Sequence, residues 1–410
     1  MKVLHVTIWP GPPFSGANIN SYNFLKRLTQ RHRARFVVVD SERRKAEISA
    51  GALAELEIRS EGLDVILHSE ATLAGQLRGF LLSTLPPYMA FLERIVGKRL
   101  RETVRSAIES WKPNVLVLWW PAFSAILAGM EGTAKMLYAC DCHSLAASNL
   151  AEHSRNPVRK LYYREAARRY HNVEQSVYPR FAETVFISQR DADHARVPLP
   201  AGVSAIANGV DVDDLFPVEH SVAAIRPVIV FHGHLAFRPN AECVRFLALH
   251  VGPRLEQQLG SDGFTLRIVG GGVDPDLAAL AGIKPWLEFT GYVENLRTTL
   301  GTGTIYASPL IMGAGVKNKV LDAMACGLPV VGTGEAFSGL EVVSEVHCVV
   351  CSRERTADEL LRLIEHPELR QKLGASAREW VVKSASWDER AEKFDAVLKR
   401  ACGEYGISRA

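Results

Sequence analysis

The stretch GAGVKNKVLDAMACGLPVVGTG, residues 313–334, decides the reading of this chain. Gly313 and Gly315 precede two lysines, Lys317 and Lys319, and an apolar-periodic run then closes on Gly327. TIYAS (304–308) just before it and LPVVGT (328–333) at its end have the β-branched, apolar character of buried strands. The segment between them predicts a helix with Gly327 at its C-terminal end. A glycine turn opening a helix presents free backbone N–H groups at the positive end of the helix dipole, a setting suited to phosphate. Glycines there let a ligand approach the backbone closely. Lys319 and Asp322 lie three positions apart and share a helical face. The cation suits a diphosphate, and the carboxylate suits ribose hydroxyls. The plainer reading, two lysines on a solvated first turn, runs against the dipole, which disfavours cations at a helix N-terminus.

Working outward, the chain repeats a strand-then-helix rhythm. KVLHVTI (2–8), ARFVVVD (34–40), LDVILH (63–68), NVLVLW (114–119), AKMLYA (134–139) and ETVFIS (183–188) read as strands. The pattern restarts with RPVIVFHG (226–233), FTLRIVG (264–270) and WLEFTG (286–291), and continues through the opening stretch. Runs this uniformly apolar belong to strands covered on both faces, and their alternation with helices implies parallel sheets. The seam is NGVDVDDLFPVEHSVAAIRP (208–227), polar and turn-rich. The expected architecture is α/β, with two Rossmann-like, doubly wound domains over 1–215 and 216–385. A final helix over about 386–410 returns to the first domain. Ligand crevices lie at the carboxyl ends of such strands, so the expected active site is a cleft with the two edges facing.

Length and composition agree. The chain has 410 residues, 47% apolar and 23% charged, ordinary for globular domains. A formal net charge of +3 argues against a nucleic-acid binder. Seven scattered cysteines suggest reduced thiols and a cytoplasmic setting. Cys348 and Cys351 form a lone C-x-x-C inside HCVVCS, which reads as a buried strand rather than a zinc site. The apolar run of MKVLHVTIWPGPP is too short for a signal peptide. The longest apolar stretch, residues 115–130, is interrupted by Pro121 and falls short of a membrane span.

The opening stretch, followed by FSGLE (337–341), resembles the donor-site block of the retaining GT-B glycosyltransferases, family 4. IANGVDVDDLF (206–216) resembles the family's domain junction, and VFHGHLAFRPNAECVRFL (230–247) the opening of its second domain in a Pro-Asn variant. GPPFSGANINSYNFLKRL (11–28) resembles its first glycine loop. The resemblance implies two Rossmann-like domains and transfer with retention of anomeric configuration. It places a nucleotide-diphosphate sugar on the second domain, with a UDP sugar as the leading expectation. The acceptor, a glycan, lipid-linked or small-molecule hydroxyl, belongs mainly to the first domain. No metal is required, because basic side chains and helix dipoles carry the diphosphate charge. By the same resemblance, Asp322 contacts ribose and Lys319 the phosphates. Gly313, Gly315 and Val316 fall on backbone that meets the donor, and Gly16 on a loop that closes over the diphosphate.

Three departures stand out. The family's first glutamate is Ala314, its usual arginine is His234, and its usual lysine is lost to Pro239-Asn240. Arg238 and Lys317 are the candidate compensations. In CDCHS (140–144), Asp141 and His143 follow a strand and by resemblance contact the sugar or acceptor; a turn with a capped aspartate and a bonded histidine is the competing reading. DVD (211–213) matches a metal motif of another glycosyltransferase fold, but a turn after Asn-Gly explains it. IVGGG (268–272) reads as a strand-end turn. Residues 155–172 carry six Arg/Lys and one acid. They are read as a solvated face or as a peripheral contact with a lipid phosphate or the inner face of a membrane.

The leading function is therefore a glycosyltransferase of surface polysaccharide or glycoconjugate synthesis. A nucleotide-sugar epimerase of the same fold and a catalytically silent sugar-nucleotide binder are the alternatives.

Overall fold

The structure is a computed structural model that describes residues 1–12, 18–69, 83–154, 156–217, 226–312 and 316–407. The contacts divide the chain into two units, Met1–Ala207 with Arg390–Ala410, and Asn208–Glu389.

The first unit is built on a parallel sheet of seven strands among the described residues. These are β1 (Lys2–Thr7), β2 (Arg33–Ser41), β3 (Leu63–His68), β4 (Val115–Leu118), β5 (Ala134–Cys140), β6 (Glu183–Phe186) and β7 (Gly202–Ala205), in the order β3-β2-β1-β4-β5-β6-β7. Val3 pairs with Ala34 on one side and Val115 on the other. All four residues of β4 are buried, which accounts for the unbroken apolar run VLVL. Strand order reverses between β1 and β4, the topological switch point of such sheets.

The helix Trp387–Ile407 closes this unit. Phe394, fully buried, stacks on Trp119 with ring centres 4.9 Å apart and packs at a tilt on Phe24 at 4.8 Å. Behind that stack the Trp119 Nε1–H donates to His5 Nδ1 at 3.0 Å. Burial pushes the His5 imidazole down to about 3, so it stays neutral and accepts this bond. At its rim, His32 Nε2 lies 2.6 Å from Asp395 Oδ1, and Arg400 pairs with the buried Glu183.

The second unit has a six-stranded parallel sheet among the described residues, in the order β10-β9-β8-β11-β12-β13. Its strands are β8 (Val228–His232), β9 (Thr265–Val269), β10 (Leu287–Gly291), β11 (Ile305–Ser308), β12 (Val330–Gly332) and β13 (Val349–Val350). β13 is the strand read from HCVVCS, and both flanking cysteines are free thiols. The switch point lies between β8 and β11. Residues 208–217 pack with this unit: Val210 N–H donates to the Ala385 carbonyl at 2.9 Å, and Arg378 donates to the carbonyls of Val212, Leu215 and Ala325. Two doubly wound parallel-sheet units are thus the architecture expected from the strand rhythm.

Candidate functional site

The switch point of the second sheet collects the chemistry. β11 ends at Ser308, and the helix Asn318–Ala325 follows it; β8 ends at His232 beside it. Lys319 and Asp322 project from the first turns of that helix, as their spacing requires. The Lys319 ammonium donates to the side-chain carbonyl of Asn240, and it lies 5.2 Å from the centre of the Phe231 ring. Asn240 is fixed in turn, its Nδ2 donating to the His234 carbonyl at 2.9 Å.

Gly233 explains how three groups fit here. Its φ is +151°, and a Cβ on it would lie 2.8 Å from Asn240 Nδ2 and 3.4 Å from Lys319 Nζ. A side chain at this position would displace the lysine tether. Burial lowers the Lys319 ammonium to about 8, with the neighbouring Lys317 charge adding to the fall. Protonation still dominates at neutral pH, so the site presents a partly desolvated cation.

Asp322 faces the other side. Its Oδ2 accepts from His232 Nε2 at 3.2 Å, and the His232 ring meets the edge of Tyr306. With that proton on Nε2, the His232 Nδ1 is an acceptor, buried and without a hydrogen-bond partner among the described residues. A cation, a carboxylate and an imidazole therefore meet at one strand-end edge. The set suits the phosphates and hydroxyls of a nucleotide.

The Lys317 ammonium has an acidic neighbour within the unit. It is only 8% exposed and pairs with Glu335 at 3.0 Å, so its charge is balanced by a loop that follows β12. Val316 is half-buried, near enough that a Cβ on Gly339 would lie 3.1 Å from its Cγ2. The His234 and Arg238 side chains are exposed, and it is the backbone of His234 that joins the cluster. Gly16, Gly313, Gly315 and the substituted Ala314 lie outside the described residues.

In the first unit, Asp141 and His143 follow the carboxyl end of β5, where the pairing with β6 is irregular between Tyr138 and Cys140. Cys140 has φ +63°, an uncommon conformation for a side-chain-bearing residue and one that recurs at functional edges. The His143 Nδ1–H donates to the Asp141 carbonyl at 3.0 Å, which leaves the lone pair on Nε2. Its ring packs on Tyr170 at 5.2 Å. The Asp141 carboxyl is raised, first by desolvation and then by the charge of Asp191. Below this turn, Asp191 accepts from Cys142 N, and Glu174 accepts from the backbone and hydroxyl of Ser144.

The remaining sequence motifs resolve simply. Asp211 Oδ1 accepts from the backbone of Asp213 and Asp214 at 3.1 and 3.2 Å, so DVD forms a turn. No cluster of His, Cys, Asp and Glu suited to a metal occurs among the described residues. Gly270 of IVGGG packs its Cα against the Gly233 carbonyl. In the basic helix Pro157–Ser176, Arg168 and Arg169 both bind Glu165, and those bonds hold the Glu165 carboxyl down at about 2. Arg159 and Arg164 stay exposed beside Val158 and Leu161, which are 75% and 69% exposed. No helix among the described residues is long and apolar enough to cross a membrane.

His232, Asn240 and Glu335 were not singled out by sequence reasoning. Each reaches the site across the fold; the only local signal was Asn240, at the place of a lost lysine.

Comparison with known proteins adds the following. Residues 226–366 match the family model described as glycosyl transferases group 1. Over 225 residues the chain is 28% identical to a GDP-mannose-dependent alpha-(1-6)-phosphatidylinositol monomannoside mannosyltransferase of Mycobacterium tuberculosis. That alignment covers 48% of this chain and 56% of the relative, so the chain spans about half the length of the curated relative it matches. Among solved structures, Anabaena HepE in complex with UDP superposes with a TM-score of 0.65 at 14% identity, over 97% of this chain and 100% of that one. Sucrose-phosphate synthase from Thermosynechococcus elongatus superposes equally well, with a TM-score of 0.65 at 14% identity over 97% and 98% of the two chains. At such identities the structural likeness shows the fold, which is GT-B. The family match is confined to residues 226–366 of the 410, within the second unit.

Proposed function

We propose that the protein is a retaining glycosyltransferase that takes a sugar from a nucleotide-diphosphate donor held by the second unit. The observation that carries this reading is the Lys319–Asn240 tether beside the Asp322–His232 pair, at the switch point of a parallel sheet. The anomeric carbon–oxygen bond to the diphosphate breaks, and charge builds on the departing phosphate. Lys319, fixed and partly desolvated, stabilises that charge without reorganising. Asp322 accepts from the ribose hydroxyls, oriented by His232. The acceptor hydroxyl then bonds to the anomeric carbon on the face the diphosphate leaves, and its proton passes to the departing diphosphate oxygen.

The resident cations make the transfer independent of a divalent metal in this proposal. UDP sugars are the first donors to test, as HepE is described in complex with UDP, and GDP-mannose is the second, as the mycobacterial relative is named for it. Asp141 and His143 are proposed to serve the sugar or its acceptor, a glycan, lipid-linked or small-molecule hydroxyl. Gly16, His234, Arg238, Gly313, Gly315, Val316 and Lys317 are proposed donor contacts. The product belongs to surface polysaccharide or glycoconjugate synthesis on the cytoplasmic side. Exposed Arg159 and Arg164 flanked by Val158 and Leu161 are proposed to touch an anionic membrane face, which co-sedimentation with vesicles containing phosphatidylglycerol tests.

The direct experiment is incubation with a panel of UDP and GDP sugars, scoring slow donor hydrolysis and nucleoside diphosphate binding by calorimetry. Saturable binding of one nucleotide with release of its sugar is expected. Absence of binding to every nucleotide would remove the proposal. Binding without sugar release would leave a silent binder, and interconversion of two donors would mark an epimerase.

A further inference from the structure

We infer that Glu174, a buried carboxylate of the helix Pro157–Ser176, is a positioning residue for His143: it fixes the backbone and hydroxyl of Ser144, and so sets where Nε2 of the neighbouring imidazole points. That this imidazole serves sugar transfer rests on the reading above; the coupling of the two residues does not.

Glu174 is 1% exposed. Its Oε1 accepts from Ser144 N at 3.1 Å and from Cys142 Sγ at 3.5 Å, and its Oε2 accepts from Ser144 Oγ at 2.6 Å. Its ion-pair partner His171 stands 3.9 Å away with a half-exposed ring. Asp191, on the helix Gln189–Ala195, holds the other flank, where its Oδ1 accepts from Cys142 N at 3.0 Å. Residues 142 and 144 are thus each fixed by a buried carboxylate from a different helix. Residue 143, between them, inherits both constraints.

Capping alone does not call for this arrangement. A serine, threonine or aspartate at the N-cap satisfies the first turn of a helix locally. A carboxylate enclosed in the core must give up its hydration to do the same work. The helix His143–His153 has Cys142 at its N-cap, with no cap bond from the side chain, and its acceptors come from 30 and 49 positions away.

The helix that carries Glu174 also holds the ring. Tyr170, one turn earlier, packs on His143 with ring centres 5.2 Å apart. The His143 Nδ1–H is tied to the Asp141 carbonyl at 3.0 Å. Backbone, ring contact and tautomer are therefore all set, and Nε2 is the atom left to meet a partner. Supporting contacts of this kind hold a functional side chain in its productive geometry.

Glu174→Gln keeps the volume and changes the bonding: the two oxygens that accept from Ser144 become one. The test is long-range proton–nitrogen NMR of the histidine rings in the full chain, with the His143 signals assigned by their loss in His143→Gln. The Nδ1–H tautomer is expected in the native protein, and its population should fall in Glu174→Gln. In parallel, kcat with the preferred nucleotide sugar should fall roughly tenfold in Glu174→Gln. The double variant should be no slower than His143→Gln, since a group that acts through the imidazole then has nothing to position. Nucleoside diphosphate affinity, a property of the second unit, should be unchanged by calorimetry. Circular dichroism should show the variants folded; if Glu174→Gln does not fold, Ser144→Ala, which removes only the hydroxyl bond, should give the same changes at smaller size.

A native Nε2–H tautomer, a tautomer indifferent to folded Glu174→Gln and to Ser144→Ala, additive losses in the double variant, or normal turnover in His143→Gln would overturn the inference. If nucleotides fail to bind while the tautomer still follows Glu174, the transferase reading falls and the coupling stands. If nucleotide sugars turn over and the ring ignores Glu174, only the positioning role falls.

Discussion

The Lys319 ammonium is tethered to the side-chain carbonyl of Asn240, a residue 79 positions earlier in the chain. The tether holds a cation at a strand-end edge without neutralising it, because an amide oxygen carries no net charge. A carboxylate partner would have cancelled the charge that a diphosphate needs.

Lys319→Met is therefore expected to cost about 10²–10³ in kcat of donor cleavage, the size of losing one preorganised electrostatic group. Asn240→Ala keeps the charge and loses its position, so the expected fall is smaller, roughly tenfold. Steady-state hydrolysis of the preferred nucleotide sugar measures both. Equal losses would mean that the tether is part of the scaffold and not of the charge.

Lys319 also sets a pH dependence. Burial holds its ammonium at about 8, and a bound diphosphate must raise it. Between the free and bound values, nucleotide binding takes up a proton, and affinity falls as pH rises through about 8. Calorimetry at pH 8.5 in buffers of different ionisation enthalpy should show this uptake. Lys319→Arg, always charged, should abolish it.

Asp322 and His232 act on binding rather than on bond cleavage. Asp322→Asn exchanges a charge-assisted acceptor for a neutral one and should weaken nucleoside diphosphate binding by about 1–2 kcal/mol. His232→Ala frees Asp322 to reorient, with a smaller loss of the same kind. Titration calorimetry reads both; a nucleotide affinity indifferent to Asp322 would move the ribose elsewhere.

Transfer is expected to persist in excess EDTA. Lys319 supplies charge at the donor edge, and the carboxylate of Asp211 is spent on its own turn. Loss of turnover on chelation, restored by manganese, would contradict the proposed charge balance.

Phe394→Ala should destabilise the first unit by about 3–5 kcal/mol, since it removes a ring packed between Trp119 and Phe24. Chemical denaturation followed by tryptophan fluorescence, compared with a Trp119→Phe background to isolate that ring among the seven tryptophans, measures the loss. An unchanged midpoint would mean that the helix is held by its ion pairs.

The buried strands were legible because parallel strands covered on both faces leave continuous apolar runs, as in VLVL and IYAS. β7 escaped because GVSA alternates between half-buried and exposed positions at the sheet edge, with too little apolar character to register. Lys319 and Asp322 were legible for a local reason, their shared helical face. Asn240 and His232 were not, because their partners lie 79 and 90 positions away, and periodicity carries no information across such distances. The Lys317–Glu335 pair shows the same limit: the partner follows β12, beyond the reach of the turn's local pattern.

The helix Trp387–Ile407 reorders synthesis and folding. Residues 208–389 form one continuous segment, whereas the unit that begins at Met1 is finished only by residues 390–410. During translation the second-made unit completes its contacts first. The first unit keeps the Trp119, Phe24 and Tyr138 rings uncovered until Phe394 emerges. A chain stopped between Glu389 and Phe394 would thus keep the second unit whole and leave the first one open, and a chain stopped at residue 207 would present a sticky aromatic face to its neighbours.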